Sequence, residues 1–121
     1  MREQGYVNMG VIGYLDRQKS ARSRPFTCFY APAPRTNTFC SASAMEQRLI
    51  LAIGYARVAD EGFLLDEREQ GSVVLYRLSK AYGERSADRE HRFVTSGAEL
   101  VRLRALGWTY DGSKGFIHSS P

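Results

Sequence analysis

The chain has 121 residues and a mass of 13.6 kDa, and with 43% hydrophobic and 25% charged residues it has the size and composition of one globular domain. No run of about 18 apolar residues is present to cross a membrane, the aromatic content excludes a disordered chain, and Met1–Gly5 lacks the apolar stretch of a secretory signal. Seventeen Lys and Arg against thirteen Asp and Glu give a net charge of +4, but the basic cluster Arg17, Lys19, Arg22 and Arg24 reads as a solvated linker and the acids gather at Asp66–Glu69, so nucleic acid is not the expected partner.

In chain order, Arg2–Gly5 has the look of the last turn of a helix, followed by Tyr6, Gly10, Gly13, Tyr14 and Leu15. Phe26–Tyr30 and Thr38–Ser41 are rich in aromatic and β-branched residues and predict a hairpin. Ser43 with Glu46 forms a capping box that starts a helix; Ile50 and Ile53 give it an apolar stripe, and Gly54 closes it. The chain then runs through Tyr55, Gly62, Phe63 and Leu64. The same order returns further on. Val73–Leu78 and His91–Thr95 predict a second hairpin. Ser96 and Glu99 cap a helix carrying Leu103 and Leu106, Gly107 closes it, and Trp108, Gly112, Gly115, Phe116 and Ile117 follow. Glycines and apolar residues thus recur at matching offsets in three places, except that Ala59 stands at the middle glycine of the second.

This pattern predicts an α+β fold of pseudo-repeats, each a β-hairpin, a short helix and a further strand, set around a pseudo-threefold axis with an incomplete first unit. The units are a partial one at 1–15 and fuller ones at 26–65 and 73–118, within a single domain over 1–121. A β-trefoil-like arrangement is the second choice, and the two capped helices argue against it. A cut unit leaves apolar surface exposed, so self-association or a partner is expected near Gly5–Leu15. The cut also raises the expectation that the chain is a fragment of a longer product.

The residues Tyr76-Arg77-Leu78, then His91 through Glu99, then Gly107-Trp108-Thr109-Tyr110-Asp111-Gly112 resemble a bacterial repeat family of unknown function. Its consensus runs Tyr-Arg-Leu-Tyr, His-Phe-Tyr-Thr-Thr, a helix with Glu-Arg, and Gly-Trp-x-Tyr-Glu-Gly. The resemblance is good over the third unit, moderate over the second, and confined to the final strand of the first. It departs from the motif at Thr38, where the family has histidine, and at Tyr55, where it has tryptophan. It implies an accessory module of secreted or surface proteins, including cell-wall and polysaccharide-acting enzymes, and hence an extracellular or cell-surface location. The family defines no catalytic residues to carry over.

Cys28 and Cys40 fall on facing strands of the first hairpin, which leaves open a cross-strand disulfide or a pair of buried thiols. Two Cys without His at ligand spacing cannot complete a metal site. His91 lies near Asp88 and Glu90, but strand alternation puts Glu90 on the opposite face, and a hydrogen-bonded structural histidine is the simpler reading. His118 has no evident partner in the sequence. The nucleophile-elbow, phosphate-loop and His-Glu-x-x-His patterns are absent, so neither an enzyme nor a cofactor is expected. The binding signal is aromatic: Trp108, Tyr110 and Tyr76, with Tyr6 and Tyr55, supply stacking area, and Arg77 and Asp111 are the polar residues expected beside them. The expected function is a non-catalytic binding module for carbohydrate or cell-envelope polymer. The alternative is a structural or protein-interaction module that self-associates or docks a parent protein through its incomplete repeat.

Overall fold

The computed structural model describes residues 6–8, 12–31, 38–81 and 89–120. The helical turn expected at Arg2–Gly5 lies outside them, as do Gly10 and Asp88. The elements are β1 (Tyr6–Asn8), β2 (Tyr14–Asp16), β3 (Ser23–Tyr30), β4 (Thr38–Ser41), α1 (Ala44–Ala52), β5 (Ala56–Leu65), β6 (Ser72–Ala81), β7 (Arg89–Val94), α2 (Gly97–Ala105) and β8 (Thr109–His118).

All eight strands join one antiparallel sheet in the order β4-β3-β5-β2-β8-β6-β7, with β1 laid on β2. At its centre β2, β5 and β8 pair with one another, through Asp16 opposite Phe63, Tyr14 opposite His118, and Leu65 opposite Phe116. The hairpin β3–β4 extends from β5 and the hairpin β6–β7 from β8. The sheet curls until its two edge strands meet: the Phe39 ring on β4 lies 4.8 Å from the His91 ring on β7. Phe26 meets Phe93 edge-on at 5.6 Å. The concave face encloses one core of Leu15, Phe26, Leu64, Leu75 and Ile117 with Cys28 and Cys40. Each large apolar side chain buried there contributes about 1.5–3 kcal/mol. Cys28 and Cys40 face each other in register and are joined as a disulfide.

The expected α+β array of pseudo-repeats around a threefold axis is overturned. Strands dominate, and they pool into a single antiparallel sheet; the two helices, nine residues each, form no layer of their own. The reason is packing: α1 buries only Ile50 and α2 only Leu103, so neither carries enough apolar surface to make a helical layer. Each instead packs on its own hairpin, α1 against Phe29, Phe39 and Tyr55, and α2 against Leu78 and Val94. Ile53 and Leu106, expected to face inward, are 39% and 56% exposed.

The helix ends follow the sequence more closely. The Ser43 and Ser96 hydroxyls accept from the Glu46 and Glu99 amides. Gly54 and Gly107 adopt φ of 106° and 98° and end the helices in Schellman geometry, with the Tyr55 and Trp108 amides donating to the Ile50 and Leu103 carbonyls. The carboxylates do not reach back to the cap amides. Glu99 holds Arg102 in two hydrogen bonds, and Glu46 turns to Arg77, because a guanidinium outbids a neutral amide for a carboxylate. Of the segment expected to be exposed, Leu15 is 1% exposed and Ile12 packs against the core, while the side chains of residues 5–11 lie outside what is described.

Candidate functional site

Tyr76 and Arg77 are neighbours on β6, and Tyr110 and Asp111 are neighbours on β8. Strand alternation therefore sends the members of each pair to opposite faces of the sheet. The five residues expected in one platform divide into two sites.

On the convex face, Tyr76 and Trp108 flank the cluster of Leu78, Val94 and Leu103 beneath α2, and both are half-buried. Tyr110 is 38% exposed, with its ring centroid 6.1 Å from that of Tyr76 at an interplanar angle of 60°. Two arginines complete the surface. The Arg92 guanidinium carbon sits 4.8 Å from the Trp108 ring centroid, and that of Arg104 sits 6.0 Å from Tyr110. Sequence reasoning missed both, although Arg92 alternates with the inward residues His91 and Phe93 and so had to point out. Tyr55, by contrast, is 3% exposed and is a core residue beside Ile50.

Arg77 and Asp111 belong to the concave face. Arg77 is 4% exposed and holds Glu46 of α1 in a forked pair, Nη1 to Oε1 at 3.0 Å and Nη2 to Oε2 at 2.7 Å. Its Nε donates to Asp111 Oδ2 at 3.4 Å, and its guanidinium carbon lies 4.5 Å from the Phe39 ring centroid. Ser41 Oγ and Lys114 Nζ donate to Glu46, and Ser79 Oγ donates to Asp111 while Arg89 donates to Ser79. Every donor of Arg77 that could meet a ligand is directed inward, so this residue fastens the curled sheet to α1. Burial alone would raise the Glu46 carboxyl, but the hydrogen bonds from Arg77 and Ser41 and the charges of Arg77 and Lys114 outweigh it and hold it at about 2.

His91 lines the same seam, and its buried Nδ1 has no hydrogen-bond partner. Burial and then the Arg77 charge push it down to about 4, with Arg89 adding to the effect and Asp111 and Glu46 opposing it. The hydrogen-bonded histidine expected at this position is thus an unpaired, neutral ring stacked edge-on against Phe39. His118, by contrast, has a partner: its Nε2 lies 3.0 Å from Asp16 Oδ1. Among the described residues, no three His, Cys, Asp or Glu side chains are grouped to hold a metal ion.

The two shifted groups predict acid sensitivity. A depressed folded pKa means that the unfolded chain takes up the proton first. His91 therefore loses stability as pH falls from 6.5 to about 4, and Glu46 as pH falls from 4.5 to about 2. Both groups are partly reached by solvent, which trims each contribution to about 1–2 kcal/mol. Urea midpoints taken stepwise from about pH 7 to about pH 4 should fall, and His91→Gln should flatten the upper part of that decline. A midpoint unchanged over the range would contradict the prediction.

The family described as Domain of unknown function (DUF5648) matches residues 1–118. The chain belongs to that family. No curated protein and no solved structure matches it. No helix is long and apolar enough to cross a membrane among the described residues.

Proposed function

We propose that this chain is a non-catalytic binding module and that the convex face around Tyr110 is its contact surface, taking a carbohydrate or cell-envelope polymer. The observation that carries the reading is the exposed Tyr110 ring, set on a strand beside Tyr76 and Trp108. A ring held by a sheet offers stacking area with little side-chain entropy to lose. The Cys28–Cys40 disulfide suits an exported protein. The motif resemblance, with its accessory modules of secreted proteins, points the same way.

Trp108 is the sole tryptophan, and its fluorescence reports on this face. Titration with soluble cell-wall glycans should give a saturable shift with one polymer class, and Tyr110→Ala should weaken that binding about tenfold. A screen in which no glycan binds, by fluorescence or by co-sedimentation with insoluble polymer, would refute the reading. A second reading, a protein-interaction module, is favoured by α1, whose Met45, Leu49 and Leu51 are 65%, 62% and 48% exposed. Light scattering on the same samples would support it by showing a stable dimer.

A further inference from the structure

We propose that the polymer bound by the convex face is an acidic polysaccharide, whose carboxylates are taken by Arg92 and Arg104; this rests on the binding-module reading above. Leu78 on β6 is paired with Arg92 on one side and with Tyr110 on the other, so Arg92 and Tyr110 share its face. Lys80 is two positions further along the same strand, on that face, where its Nζ donates to the Leu106 carbonyl at 3.4 Å. Arg104 reaches the patch from α2.

The charges here are not balanced. Some exposed arginines elsewhere have carboxylate partners, Arg57 meeting Asp60 at 2.8 Å and Arg102 meeting Glu99 at 2.7 Å, while Arg68, among the described residues, lies alone on the Phe116 ring at 5.2 Å; here two such arginines stand side by side. Arg92 and Arg104 are equally exposed, yet among the described residues neither has a carboxylate within ion-pair distance; each has only its aromatic ring. Glu99 is near enough to feel the Arg92 charge, but among the described residues no acid pairs with either arginine. Glu99 is committed to Arg102, Asp111 points to the concave side, and Glu90 stands opposite Lys80 in register. Arg92 also lines a groove of about 360 Å³ with Ile12, Phe93, Thr95, Ser96 and Glu99, whose carboxylate is held by Arg102, so the cation borders a recess as well as a ring.

This arrangement selects among anions. A guanidinium lying on a ring is fixed in orientation, and its outer N–H edge matches the two oxygens of a carboxylate. Where Arg92 covers the Trp108 ring, the contact on offer is the cation itself and not a bare face for a stacked nucleobase, which suits an oxyanion carried on a sugar chain.

Binding of polygalacturonate, a neutral cellulose derivative and oligothymidylate to the whole chain tests this. The expected result is preferential binding of polygalacturonate, weakened at least about tenfold in an Arg92→Gln/Arg104→Gln variant. Circular dichroism and thermal midpoint show whether that variant stays folded, and an Arg92→Lys/Arg104→Lys variant, keeping charge without the fork, should fall between the two. If the neutral polymer binds as tightly and the Gln variant loses nothing, the acidic specificity is wrong while the binding-module reading survives. Tighter binding of oligothymidylate overturns the proposal in favour of nucleic acid. Failure of every glycan to bind overturns both readings.

Discussion

Arg77→Leu is expected to lower the unfolding free energy by about 3–5 kcal/mol, measured by urea denaturation at neutral pH. The reason is what the substitution leaves behind. Glu46 keeps Lys114 and Ser41 but loses two charge-assisted hydrogen bonds, and Asp111 keeps only Ser79. Both carboxylates remain partly out of water, and the Phe39 ring loses the guanidinium that covered it. Most of the penalty therefore belongs to orphaned charge, and the double variant Arg77→Leu/Glu46→Leu should regain part of it. A loss below about 1 kcal/mol in the single variant would mean that solvent screens the pair and that the clasp between α1 and the sheet is decorative.

The second large effect is expected at Gly115→Ala, with a cost of about 3 kcal/mol. Gly115 has φ of 136°, and a Cβ there would lie 2.6 Å from the Leu65 carbonyl oxygen and 2.9 Å from Leu64 Cδ2. Backbone cannot give way as a flexible side chain does, so β5 and β8 would have to separate where Leu65 pairs with Phe116. Gly97→Ala is the control. Nothing lies within 4 Å of a Cβ at Gly97, at the start of α2, and that variant should be neutral or up to about 1 kcal/mol more stable. If the two variants melt together, the close approach at the sheet centre is wrong.

The same glycine shows where reading the sequence succeeds and where it stops. Gly13, Gly62 and Gly115 stand out as members of a recurring pattern before any coordinate is known, but the pattern does not say why they are glycines. The answer is contact between distant segments: a Cβ at Gly13 would strike the His118 carbonyl, and one at Gly62 would strike Leu15 and the Asp16 carbonyl. Glycine is required where β2, β5 and β8 press against one another.

By itself the sequence determined what a few neighbouring residues decide. The caps at Ser43 and Ser96, the closing Gly54 and Gly107, the two hairpins and the facing pair Cys28 and Cys40 all depend on hydrogen bonds or side-chain alternation within a short span. The tertiary structure decided everything that depended on which face met which neighbour. It pooled the strands into one curled sheet, turned Glu46 from its cap to Arg77, and split Tyr76 from Arg77 and Tyr110 from Asp111. It also brought Arg92 onto Trp108 across the hairpin. Alternation along a strand is legible from residue order, but which side becomes the core is set by how much apolar area the whole chain can bury, and that sum is not local.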